Sequence, residues 1–246
     1  MLNNMLNNRS VISLAILVAS IAAMPGVGAP AVPVIAASSV RAGMITVTVT
    51  NTHTASITGL LLQSMVSEAT KRRAIVSSYL DIFVNASYDK PIAPGESRAI
   101  SIINAALSPG GPPPTVLSGA LFADGSSVGT SQGIHILEGR RTELAQTLIR
   151  FRQRMMSLKG AGLPEVLAST NAQAQEEGAR VRGMRPEEMP IAGVSSMVSD
   201  WVQSALASAP ANCSADCAGR RLDYIVAGLS TWSAKLTEGM PSKPVN

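Results

Sequence analysis

The sequence predicts an α+β protein: an N-terminal antiparallel β-sandwich, one long amphipathic helix, and a small helical bundle. Three observations carry that prediction. Residues 44–50, MITVTVT, alternate strictly, with Ile45, Val47 and Val49 on one side and Thr46, Thr48 and Thr50 on the other, the mark of a half-buried strand. Between Ile134 and Lys159 apolar residues recur every seven positions in two interleaved series, Leu137, Leu144, Phe151, Leu158 and Ile134, Leu148, Met155. Three-four spacing puts both on one side of a helix. Finally, the stretches before this helix read as strands, and those after it as helices.

The chain has 246 residues, enough for one large or two smaller domains. Aromatics make up only 3%, so the cores must be filled by aliphatic side chains and methionine. The formal charge is +4, with no block of five or six like charges, which gives no footing for nucleic-acid binding.

Residues 1–31 have the layout of a secretory signal peptide. Arg9 is the only charge before Arg41, and an apolar run follows from Val11 to Met24, then Pro25, Gly26 and small residues. Ala29-Pro30-Ala31 offers a small-residue cleavage site, and Ser20-Ile21-Ala22 an earlier one. An uncleaved anchor is the competing reading. As a helix the run spans roughly 21 Å against a hydrocarbon core of about 30 Å, and Pro25, Pro30 and Pro33 interrupt any extension. Either way the expected location is exported, periplasmic or extracellular.

Residues 35–130 read as the β domain. After 44–52, a polar turn at Asn51–Ser56 leads to the strand ITGLLLQSMV (57–66). IVSSYLDIFVNAS (75–87) is expected as another, with Leu80, Ile82 and Val84 opposite Tyr79, Asp81 and Phe83. KPIAPGE (90–96) is a Pro-Gly turn into SRAISII (97–103), the Pro- and Gly-rich 108–114 cannot be regular, and VLSGALFA (116–123) ends at the Asp124-Gly125 turn. Short strands separated by turn residues argue for an antiparallel sandwich or barrel.

ITVTVTNTHTASITGLLL, followed by IAPGESRAISI, resembles the immunoglobulin-like modules of bacterial exported proteins, including the CARDB-type adhesion-related domains. There a strand ends in an Asn turn, and a later one is introduced by a P-G-E/D-S turn. ALFADGS running into an Arg-rich helix is similar to uncharacterised bacterial exported proteins that pair such a sandwich with a helix. The resemblance covers about residues 40–125, or to 158 counting the helix. It implies an immunoglobulin-like sandwich acting as a spacer or interaction module and carries over no catalytic residue. This stretch has neither cysteine nor tryptophan, so the inter-sheet disulfide and core Trp of antibody domains are missing.

The connecting helix is expected over residues 131–159, roughly 38 Å from Ile134 to Lys159. Arg141 interrupts one apolar series, which argues against a free coiled coil and for packing within the chain. In residues 160–246, Gly160-Ala161-Gly162 ends the helix and Pro164 suits the first turn of the next. Ile191, Val194, Val198, Trp201 and Ala205 then share one face, and Leu222, Ile225, Val226, Leu229, Trp232 and Leu236 another. Both tryptophans continue apolar series and read as core anchors.

Few residues carry chemistry. Cys213 and Cys217, in C-S-A-D-C, are the only cysteines, and an even count in an exported chain favours a disulfide. A copper pair would need a further ligand, and the two histidines, His53 and His135, lie far upstream. Gly129-Thr130-Ser131-Gln132-Gly133 matches G-x-S-x-G, so a serine hydrolase using Ser131 is the enzyme alternative. A hydrolase elbow follows a buried strand and takes its base from a later histidine. Here DGSSV precedes the motif and the only later histidine is His135, so Ser131 reads better as a helix N-cap. Ser87-Tyr88-Asp89-Lys90 spells S-x-x-K without its partner motifs. Glu176-Glu177 and Glu187-Glu188 are adjacent pairs, which do not face each other on a helix.

No cofactor or metal is implied. Arg140, Arg150, Arg152 and Arg154 form a candidate interaction face, with a plain solvated helix face as the bland reading. The sequence therefore points to a non-catalytic interaction or scaffold module of the bacterial envelope. Its expected partner is another envelope or secreted protein or a surface glycan, with membrane contact only through an uncleaved N-terminal segment.

Overall fold

The computed structural model describes residues 32–36, 40–41, 44–67, 73–84, 90–103, 114–185, 188–210 and 212–239. The expected signal peptide, Ser87 of the S-x-x-K match, Glu187 and most of the Pro-rich 108–114 stretch lie outside them. The chain is α+β, with two antiparallel four-stranded sheets followed by helices.

In the first sheet, β3 (Met44–Thr50) is central, and β6 (Ser97–Ile103) pairs along its whole length. Two short strands, β1 (Val34–Ala36) and β2 (Val40–Arg41), pair with its two ends along the other edge. The second sheet runs in the order β5 (Arg73–Asp81), β4 (Ile57–Ser67), β7 (Thr115–Phe122), β8 (Ser127–Gly129). One apolar cluster takes Ile45, Val47, Val49, Ile100 and Ile102 from the first sheet and Leu60, Leu62, Leu80, Ala120 and Phe122 from the second.

The strict alternation of β3 matches a sheet with one buried face, since Thr46, Thr48 and Thr50 stay half exposed. In β4 the run Leu60-Leu61-Leu62 is buried throughout. Leu60 and Leu62 meet the first sheet, while Leu61 points the other way, with Leu121, onto Ile136 and Leu137 of the long helix. A strand covered on both faces reads as a continuous apolar run.

β5 corrects the expectation of a strand through residue 87. It ends at Asp81, whose Oδ1 accepts the backbone N–H of Phe83 at 3.0 Å and of Val84 at 3.4 Å. This side-chain turn stops the ladder and turns Phe83 and Val84 into the helical core. The turns at Asn51 and at Pro94-Gly95 meet: buried Asn51 donates from Nδ2 to the carbonyls of Ala55 and Ile92, and its own carbonyl accepts the N–H of Gly95. Gly95, at φ 77°, supplies the left-handed residue of that turn.

The helices are α1 (Ser131–Ser157), α2 (Leu163–Arg182), the one-turn α3 (Met189–Ala192), α4 (Val194–Ala207) and α5 (Ala215–Gly239). Pro164 sits in the first turn of α2 as expected. Further along α1, Leu144, Leu148, Phe151 and Met155 pack with Val198 and Val202 of α4 and Leu222, Ile225 and Leu229 of α5. The apolar stripe of α1 is thus covered within the chain. Both tryptophans border this cluster, and the Trp232 indole N–H donates to the Phe83 carbonyl at 2.7 Å. Among the described residues no helix is long and apolar enough to cross a membrane.

Candidate functional site

The polar chemistry of the described residues gathers along α1, first where it crosses the second sheet and then where it meets α2. The crossing depends on glycine. A Cβ on Gly133 would lie 2.0 Å from the Ser118 carbonyl oxygen, and one on Gly119 2.9 Å from the Gly133 backbone. Bare backbone on both sides brings the first turn of α1 down onto β7. Thr130 caps that turn: its hydroxyl accepts from the Gly133 N–H at 3.0 Å and donates to Ser118 O at 3.1 Å. The N-cap is therefore Thr130 rather than Ser131, because Thr130 keeps the extended backbone a cap requires. Ser131 is the first helical residue; it and His135 are exposed on the opening turns of α1.

Two turns on, Arg141 reaches back into the sheet. Its Nε donates to Asp81 Oδ2 at 2.9 Å and its Nη2 to Thr58 Oγ1 at 3.1 Å, and Thr58 donates onward to the Leu121 carbonyl. The guanidinium also lies 4.6 Å from the Phe83 ring centre. Gly59 leaves room for it, since a Cβ there would approach Nη2 to 2.9 Å. Burial pushes the Asp81 carboxyl above its ordinary range, while Arg141 and the N–H groups of Phe83 and Val84 pull it down.

Arg140, expected on an open face, is only 8% exposed. It stacks 4.3 Å from the Tyr79 ring centre and donates from Nη1 to the Pro190 carbonyl at 2.7 Å. Sheet and α3 cover it from two sides, with Ile191 seated where Gly139 has no side chain. Desolvation lowers its pKa from the ordinary arginine value, partly offset by Tyr79 and Asp81.

Arg150 is likewise committed. It donates from Nε to Glu177 Oε1 and from Nη2 to Glu143 Oε1, both at 2.9 Å. Arg180 closes the ring, with Nε on Glu177 Oε2 at 3.0 Å and Nη2 on Glu143 Oε1. Burial lowers the Arg180 pKa, but Glu143 and Glu177 outweigh it and the net shift is upward. The two glutamates are buried and fully paired, so this neutral ring joins α1 to α2.

Arg152 and Arg154 remain exposed, with Arg154 donating from Nε to Ser169 Oγ at 2.7 Å. The four arginines therefore do not form one surface. Beside the ring, a polar cleft opens between α1 and α2, lined by Arg150, Gln153, Arg154 and Ser157 on one wall and Gln173, Glu176 and Glu177 on the other. A second, largely apolar cleft lies between the start of α2 and the end of α4, with Cys213 on its rim. Cys213 and Cys217 form a disulfide at the entrance to α5, with Cα atoms 5.3 Å apart.

Asp81, Glu143, Gln173 and Arg180 were not among the candidate residues of the sequence, and Glu177, expected on a solvated face as half of an adjacent pair, is instead buried and paired with Arg150 and Arg180. Arg141 carried the one usable signal, as a charge inside an apolar series. Among the described residues no group of three or more His, Cys, Asp or Glu is placed to hold a metal ion. Comparison of the chain with protein-family models, with curated proteins and with solved structures finds no match.

Proposed function

We propose that the chain is an exported, non-catalytic interaction or scaffold module of the bacterial envelope. In this reading an immunoglobulin-like sandwich is held by the long connecting helix against a small helical bundle. One observation carries it: among the described residues the buried charges other than Arg140 are spent on one another. Asp81 pairs with Arg141 across sheet and helix, and Glu143 and Glu177 pair with Arg150 and Arg180 across two helices. Charges saturated in this way fix geometry and are withdrawn from proton transfer or nucleophilic attack. Export is supported by the leader-like layout of residues 1–31 and by the Cys213–Cys217 disulfide, which suits an oxidising compartment.

The test is cross-linking in place in the envelope fraction of the native host, followed by capture of the chain and mass spectrometry. The expected result is recovery from that fraction with a partner in fixed stoichiometry. Recovery from the cytoplasmic fraction, or turnover of an ester or peptide substrate lost on Ser131→Ala, would overturn the reading.

A further inference from the structure

We propose that the Cys213–Cys217 disulfide is an exchangeable clasp: a dithiol reductant opens it in the folded chain, attacking Cys213 and expelling Cys217, and so releases the connection between α4 and α5. The proposal goes beyond the module reading and stands or falls without it. The disulfide ties that connection to the first turn of α5, and both cysteines are half-buried rather than enclosed. Beyond hydrogen bonds to the last turn of α4, the described residues of the connection are held by Arg221, whose Nη2 donates to the Ser208 carbonyl at 3.1 Å, and by the Cys213 N–H, which donates to the Pro210 carbonyl at 3.1 Å. Ala207, Ala209 and Pro210 form one wall of the apolar cleft, facing Leu163 and Leu167 of α2. Opening the clasp frees that wall, while the core shared by α1, α4 and α5 keeps its contacts.

The two sulfurs are not equivalent. Ser214 caps α5, its hydroxyl accepting the Cys217 N–H at 3.3 Å and its carbonyl the Ala218 N–H at 2.9 Å. Cys217 therefore sits in the first turn of a 25-residue helix, at the positive end of its dipole, whereas Cys213 precedes the cap. Arg220 and Arg221 follow Cys217 at three and four positions, the spacing that shares a helix face, against one carboxylate in that turn, Asp216. Positive potential stabilises a thiolate there, and the better-stabilised thiolate leaves faster. The dithiol's thiolate attacks Cys213 Sγ, the bond to Cys217 breaks, and its electron pair departs with Cys217. The dithiol's second thiolate then displaces Cys213 from the mixed disulfide. Two electrons pass to the chain, the dithiol becomes a disulfide, and its two protons end on Cys213 and Cys217 through solvent.

The test treats the full chain, without denaturant, with dithiothreitol, an uncharged dithiol. Opening is followed by acid quench, maleimide tagging and mass spectrometry. Complete opening is expected with circular dichroism unchanged, and with hydrogen exchange rising only in the connection and the first turn of α5. Arg220→Glu should slow opening about threefold and Asp216→Asn quicken it by a similar factor, both being exposed changes beside the leaving sulfur. Arg141→Met, which weakens the fold elsewhere, should leave the rate unchanged, because opening takes place in the folded chain. A disulfide that yields only in denaturant, or faster in Arg141→Met, is a plain structural staple and overturns the proposal. Charge variants without effect on the rate overturn it too, as does loss of protection in β4, β7 or the body of α5 on reduction.

Discussion

Arg141 Nε and Asp81 Oδ2 lie 2.9 Å apart, joining residues sixty positions distant, with the two side chains 5% and 0% exposed. Taking two such charges out of water costs several kcal/mol each, and attraction repays this only where the remaining hydrogen bonds are also made. Here they are: Thr58 takes another Arg141 donor, and Phe83 and Val84 supply N–H groups to Asp81. The pair fixes where α1 meets the sheet more than it adds net stability.

Removing one partner strands the other charge. Arg141→Met should lower unfolding stability by about 3–5 kcal/mol, measured by urea denaturation. Asp81→Asn should cost a similar amount. The double variant should lose clearly less than the sum of the two, because neither charge is then left alone; simple additivity would show that the pair does not act as one.

Gly133→Ala sets two effects against each other. Alanine is better than glycine in a helix by about 1 kcal/mol, but the new Cβ would meet the Ser118 carbonyl at 2.0 Å. That contact is backbone and cannot swing aside, so overpacking of about 1–3 kcal/mol should win. Gly219→Ala, in the first turns of α5 with nothing near its Cβ, should instead stabilise. Thermal unfolding of both variants gives the comparison.

The disulfide closes a loop between positions only four apart. Chain entropy for so short a loop corresponds to about 2 kcal/mol. Cys213→Ser with Cys217→Ser should therefore lower stability by about that much. The chain should still fold, since Ser214 Oγ keeps its bond to the Cys217 N–H. Hydrogen exchange should rise mainly at the start of α5.

Acid should loosen the turn before β6. The Ala93 N–H and the Arg98 side chain hold the Glu96 carboxyl below its ordinary value of 4.5. The folded state thus binds a proton less readily than the unfolded chain. The contribution is present above 4.5 and is lost as pH falls through the lower folded value. Glu96→Gln should flatten the pH dependence of stability in that acid window and leave it unchanged near neutrality, as read from urea midpoints.

Much of the fold was legible because it is local. The Thr/Val alternation of β3, the heptad spacing of α1 and the Pro164 helix start are set by residues within a few positions of one another. What escaped depends on distant partners. The end of β5 at Asp81 follows from a side chain claiming the next two amides, and short β1, β2 and β8 exist only because β3 and β7 offer them edges. Arg140 looked solvated because the helix wheel shows one apolar stripe. Yet the sheet, α3 and α2 cover α1 on other sides, and burial there is met by ion pairs and ring stacking rather than by apolar residues.

The central claim, that sheet and helices form one braced scaffold through α1, is tested most directly by native-state hydrogen exchange on the full chain and on Arg141→Met. The account predicts that the slowest amides of β4, β7, α4 and α5 exchange with one common free energy, which drops together in the variant. If α4 and α5 keep their protection while the sheet loses its own, the two parts are independent and the claim is wrong.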